Sequence, residues 1–212
     1  KDALRIIAAA VTVNDATIEN RARLSSPSLR GRTNLYLERI AAALVFGNPP
    51  EITDMHDSPV LLEEDEPLNL EVNNNPAAAV INRGLVWLSD GEIAPITGEI
   101  YSVAFTAAIT QATGAWVNGA ITLLEDLRVG NYSVVGMRLR AANLVAGRLV
   151  FRTSTHRPGV PAVNAAADVD NDLFRRGRLG NWGEFHTNQP PTLDVLGVTN
   201  TAQLGILDVM FL

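Results

Sequence analysis

Five segments of strand length, 68–72, 100–110, 132–140, 144–152 and 204–212, alternate or nearly alternate apolar with polar or small residues. Each is bounded by Gly, Pro, Asn or Asp. A period of two puts successive side chains on opposite faces of an extended chain. In 100–110 the residues Tyr101, Val103, Phe105, Ala107 and Ile109 share one face, and Ser102, Thr106 and Thr110 share the other. That pattern predicts a strand with one buried face. Short strands at regular spacing with turn residues between them predict an all-β antiparallel sandwich or barrel.

Further strands are predicted at 116–124 and 192–198. Residues 132–140 and 144–152 are predicted to form a hairpin across Ala141-Ala142-Asn143. Residues 80–88 contain Leu85-Val86-Trp87-Leu88, apolar on both faces, which predicts a central strand closed by Ser89-Asp90-Gly91. The segment 204–212 is predicted to pair inside a sheet. Residues 3–13 and 35–46 are apolar without a clear period. Val11-Thr12-Val13 favours strand in the first, and the second stays open between strand and helix up to the break at Gly47-Asn48-Pro49-Pro50. The reading is one β-sandwich domain over 1–212, with 1–34 an extended arm and loop and 153–191 a long irregular insertion.

Composition changes this picture in one respect. Charged residues make up 19% of the 212, against about 25% in ordinary soluble domains. A neutral surface is cheap to desolvate and suits packing against copies of the same chain. The net charge of −6, from 17 basic and 23 acidic residues, offers no basic arm to displace counterions from phosphates, so no direct nucleic-acid contact is expected. With no cysteine, a disulfide framework and thiolate metal sites are excluded. No apolar run approaches the roughly 20 residues of a membrane-spanning helix.

The candidate chemistry is sparse. His56 stands between Asp54 and Asp57, which suits a metal or a tuned base but reads equally as a polar loop. Asp168, Asp170 and Asp172 resemble the opening of a calcium loop, yet Leu173 and Leu179 occupy the places where such a loop needs Gly and Glu. The glycine-rich run Gly177-Arg178-Leu179-Gly180-Asn181-Trp182-Gly183 lacks the Lys and Ser or Thr of a phosphate cradle. Its expected role is a tight loop anchored by Trp182, Phe185 and Phe174 that serves assembly. Arg175, Arg176 and Arg178 in and before it have charge complementary to the acidic run 63–66 of a neighbouring copy.

Glu184 and His186 share a face of an extended segment and could act as acid and base, which keeps a hydrolase on a β-sandwich scaffold open. Trp116 and Trp182 are the candidates for a carbohydrate- or surface-binding face. Asn131-Tyr132-Ser133 matches the N-glycosylation triplet at the start of a strand. No cofactor is expected.

Over residues 60–212 the chain resembles small single jelly-roll virion proteins of prokaryotic or environmental viruses. The residues that carry the likeness are Tyr132-Ser133-Val134-Val135-Gly136-Met137, Gly147-Arg148-Leu149-Val150-Phe151, His156-Arg157-Pro158-Gly159, and the run from Arg176 through Trp182 to Phe185. Val60-Leu61-Leu62 with the acidic run and Leu68-Asn69-Leu70-Glu71-Val72 suits a strand pair with a charged loop. The resemblance implies a jelly roll of two four-stranded sheets and a coat subunit of a self-assembling shell. Its partners would be copies of itself and other virion proteins, and its location the virion, assembled in the host cytoplasm. It implies no catalytic residue.

Overall fold

The computed structural model describes residues 4–13, 21–30, 35–37, 40–41, 45–46, 51–74, 79–163, 172–198 and 202–212. Of the described residues, strand accounts for 54% and helix for 4%, and all but one of the strand pairings are antiparallel. Among the described residues no helix is long and apolar enough to cross a membrane. The chain divides into two compact units, the first comprising Lys1–Gly47 and Glu51–Ile93, the second Asn48–Pro50 and Ala94–Leu212.

The first unit is built around β1 (Leu4–Val13), which is buried on both faces from Ile6 onward. A strand covered on both sides has no polar face to alternate with, which explains its unbroken apolar sequence. β2 (Arg21–Ser25) pairs with β3 (Leu35–Leu37) on one side. One edge of β1 is shared end to end by β4 (Ile40–Ala41), β5 (Thr53–Asp54) and β6 (Val60–Leu62). β7 (Asn69–Asn73) takes the far side of β2, and β8 (Asn82–Ser89) runs along the second edge of β1. Between β2 and β3, Pro27 opens the single helical turn α1 (Pro27–Arg30), where its fixed φ suits the first helical position. Ile6, Ala9, Val11 and Val13 of β1 pack with Ala22 and Leu24 of β2 and with Leu29, Leu37, Met55 and Leu62.

Two expectations are corrected here. Of residues 1–34, 4–13 and 21–30 hold β1, β2 and α1 and so are no arm, while 1–3, 14–20 and 31–34 lie outside the described residues. β8 is not central: among the described strands it pairs with β1 alone, and its side chains are half-buried or exposed. Its apolar residues on both faces reflect partial cover on each side, which sequence cannot distinguish from full burial.

The second unit contains β9 (Tyr101–Ala107), β10 (Val117–Ala120), β11 (Thr122–Leu123), β12 (Asn131–Arg140) and β13 (Leu144–Val150). It continues with β14 (Gly159–Pro161), β15 (Gly183–His186), β16 (Thr192–Gly197) and β17 (Gln203–Phe211). One sheet has the order β11-β9-β17-β12-β15 and the other β10-β16-β13-β14. Leaving out the two-residue β11, the pairing is nested. The first strand pairs with the last, β9 with β17; the second with the second last, β10 with β16; then β12 with β15 and β13 with β14. All four pairs are antiparallel, so the unit is one long double-stranded ribbon, folded so that β17 also meets β12 and β16 also meets β13.

The inner faces carry Val103 and Phe105 from β9, Met137 and Leu139 from β12, Leu207 and Val209 from β17, Leu149 from β13, and Leu193 and Val195 from β16; all are at most 3% exposed. Gly147 of β13 lies against the Leu139 side chain of the other sheet, leaving no room for a Cβ. The alternation in 100–110 is realised, since Val103, Phe105, Ala107 and Ile109 are buried, while Tyr101 at the strand start is exposed.

β12 and β13 do not form a hairpin. They lie in different sheets, and the chain turns the corner through Asn143, whose φ is 59°; Asn tolerates this left-handed conformation. A three-residue connection suits a hairpin and a sheet-to-sheet corner alike, so spacing alone misassigned the partner. The stretch 153–191 is not irregular throughout either: its residues 164–171 lie outside the described residues, and the rest supplies β14 and β15. Both are three or four residues long, and Pro161 in β14 gives it the look of a loop.

Candidate functional site

The glycine-rich loop folds onto the outer face of the β9–β17–β12 sheet. Leu173 and Phe174, in a 3₁₀ turn over Asp172–Phe174, are buried, as are Trp182 and, in β15, Phe185, whose ring stacks on that of Tyr132 of β12 at 5.8 Å. A bulge in β12 between Val134 and Gly136 is where the loop attaches. The Val135 carbonyl accepts from the Gly177 N–H at 2.6 Å, and the Val134 carbonyl from the Trp182 N–H at 2.8 Å. Arg176 and Gly177 adopt φ values of 49° and 78°, a reversal that glycine makes cheaply. Gly136 cannot be larger, because a Cβ would lie 2.8 Å from Asp208 Oδ2 and 2.9 Å from the Arg176 nitrogen.

Beneath the loop lies Asp208 of β17, with 0% exposure. Arg175 donates to it twice, Nε to Oδ2 at 2.7 Å and Nη2 to Oδ1 at 3.0 Å. The Arg176 N–H donates to Oδ2 at 2.8 Å and the Ser102 hydroxyl to Oδ1 at 2.8 Å. Burial pushes the carboxyl up, but these hydrogen bonds and the Arg175 charge outweigh burial and hold it below the usual carboxylate range. Arg175, expected to face the acidic run of a neighbouring copy, is engaged inside its own chain. Asp208 and Ser102 were missed. The available signal was a carboxylate flanked by Leu207 and Val209 in an otherwise apolar strand, since a charge inside such a strand requires partners.

A second polar cluster lies on the outer face of the other sheet. Asn118 of β10, Asp194 of β16 and Arg148 of β13 stand directly opposite one another across three strands. Arg148 Nε donates to Asp194 Oδ2 at 2.8 Å. Asn118 Nδ2 donates to Asp194 Oδ1 at 2.7 Å and to the Thr192 hydroxyl at 2.9 Å. The Arg148 guanidinium sits 4.3 Å from the centre of the Trp116 ring, a cation–π contact. Trp116 is therefore half-buried at this surface, whereas Trp182 is 8% exposed and belongs to the packed loop.

The other candidates are placed as follows. His56 has Nδ1 3.2 Å from Asp54 and Nε2 3.0 Å from Asp57, with its side chain 12% exposed. Among the described residues no group of three or more His, Asp or Glu is arranged to hold a metal ion. Asp168 and Asp170 lie outside the described residues; Asp172 is exposed, and its carbonyl accepts from the Arg175 N–H. Glu184 is exposed on β15, and His186 Nδ1 accepts from the Asn188 N–H at 3.2 Å. In the acidic run Glu63, Glu64 and Asp65 are exposed, while Glu66 accepts from the Ser28 and Glu63 N–H groups. Asn131 is exposed at the start of β12, but Tyr132 and Ser133 are buried. Comparison with protein-family models, curated proteins and solved structures finds no match.

Proposed function

We propose that the chain is a structural subunit of a self-assembling shell of the viral capsid or coat type, and that its second unit is a jelly roll. The observation that carries this reading is the nested pairing of β9 with β17, β10 with β16, β12 with β15 and β13 with β14. A ribbon paired in that way and wrapped into two four-stranded sheets is the jelly-roll arrangement, used by capsid and lectin domains. The low charge fraction supports contact between copies, as do exposed apolar side chains such as Tyr101, Leu124, Val129 and Leu212 on the second unit and Ile81 and Leu88 on the first. Copies of itself and other virion proteins are the partners in this reading, the virion is the location, and no residue is catalytic.

Light scattering at micromolar concentration and near-neutral pH tests it, together with electron microscopy of the same sample. The expected mass is several times 22.8 kDa, with regular particles in the images. A monomer over a wide concentration range with no particles would overturn the reading.

A further inference from the structure

The row Asn118–Asp194–Arg148 has no part in closing the core, since it lies on the outer side of its sheet. Its members fix one another. Both N–H groups of the Asn118 amide are taken, by Thr192 and Asp194, which turns the amide oxygen outward as an acceptor. Each Asp194 oxygen accepts one bond from the row, from Arg148 or from Asn118, and a carboxylate oxygen has capacity for a second. Among the described residues only Nε of Arg148 donates to a side chain, so both Nη groups remain available as donors. The row therefore presents acceptor, acceptor and donor in sequence, next to an indole.

We propose that this row is a subsite for a neutral saccharide, held through a vicinal pair of hydroxyls beside Trp116. A hydroxyl both donates and accepts. One sugar hydroxyl can donate to Asp194 while accepting from an Arg148 Nη group, and its neighbour can donate to the Asn118 oxygen. The pairing of Arg148 with Asp194 leaves the row without net positive charge, so an anion gains little there, and a carboxylate ligand would meet Asp194. Because Asp194 and Trp116 already position Arg148, little side-chain entropy is lost on binding. Asn118 is exposed and Arg148 retains 33% of its side-chain exposure, while Asp194 between them keeps 12%, so a ligand would reach the row through Asn118 and Arg148 and meet only the rim of the carboxylate. This inference goes beyond the shell reading and does not depend on assembly.

Saturation-transfer NMR and calorimetry on the full chain test it. The probes are neutral oligosaccharides of glucose, galactose, mannose, xylose and N-acetylglucosamine, with oligogalacturonate as the acidic counterpart. One neutral series is expected to bind weakly, at millimolar strength for a single open subsite. Asn118→Ala and Arg148→Lys are each expected to weaken it about tenfold, the loss of one good hydrogen bond, with the β-sheet circular dichroism spectrum of N118A at the assay temperature unchanged. Three results would overturn the proposal: no neutral probe binds; N118A and R148K both bind as the parent does; or only oligogalacturonate binds. Should R148K fail to fold, N118A alone decides.

Discussion

Replacing Asp208 with Asn is the sharpest probe of how the second unit is held together. The substitution keeps volume and shape but turns one acceptor into a donor and removes the charge that Arg175 faces. In the parent, Asp208 is fully buried and accepts four hydrogen bonds, two from Arg175. Breaking a buried pair from one side costs about 3–5 kcal/mol. The Arg175 side chain keeps 18% exposure and can recover some hydration, so the low end, about 3 kcal/mol, is expected. Urea unfolding followed by tryptophan fluorescence measures it. Arg175→Met should cost a similar amount, and the double variant about 2 kcal/mol less than the sum, because the two side chains act on each other.

The pH dependence has a fixed sign. A carboxyl held low in the folded state stabilises above the ordinary carboxylate range of about 4 and loses that contribution as pH falls below it. The deficit of D208N relative to the parent should accordingly narrow in acid. A loss under about 1 kcal/mol at neutral pH, the scale of an exposed pair, or strict additivity with R175M, would refute the account of this site.

Trp182→Ala should lower stability by about 3–5 kcal/mol, as for other buried aromatics, read as a lower urea midpoint than the parent's at the same protein concentration. Gly147→Ala should cost about 1–3 kcal/mol in the same assay, because its methyl would press on Leu139 across the two sheets. Deleting 207–212 should leave the chain insoluble, with the β-sheet circular dichroism signal lost, because β9 and β12 would face each other without the strand that joins them; a soluble truncated chain with native signal would count against the sheet order.

Strand existence was legible wherever one face is wet. The alternation in 100–110 and 204–212 marked β9 and β17 to within a few residues because Ser102, Thr106 and their neighbours face away from the core. What escaped was pairing. Nothing local in Tyr132-Ser133-Val134 says that Tyr132 meets Phe185, 53 residues ahead, and Val134 meets Val209, 75 residues ahead. β14 and β15 escaped because strands of three and four residues cannot display a period. The burial of Phe174, Trp182 and Phe185 was legible from their glycine setting, but Asp208 was passed over, because one acid in a strand reads as an ordinary solvent position unless its apolar flanks are weighed. The Asn118–Asp194–Arg148 row exists only through register, three strands apart in sequence and adjacent in the sheet. Trp116 alone announced it.

The nested ribbon also sets the order of events during synthesis. β17 lies between β9 and β12, yet it is the last strand of the second unit to leave the ribosome. Until then β9 and β12, both apolar on their inner faces, lack the strand that joins them, and the pairing β9–β17 must close a loop of about 100 residues. Folding dominated by such distant pairings is slow and leaves sheet edges open to other chains meanwhile. The nascent second unit is therefore most vulnerable just before its final strand emerges, and production should respond to chaperone supply and growth temperature more than a fold closed by local hairpins would.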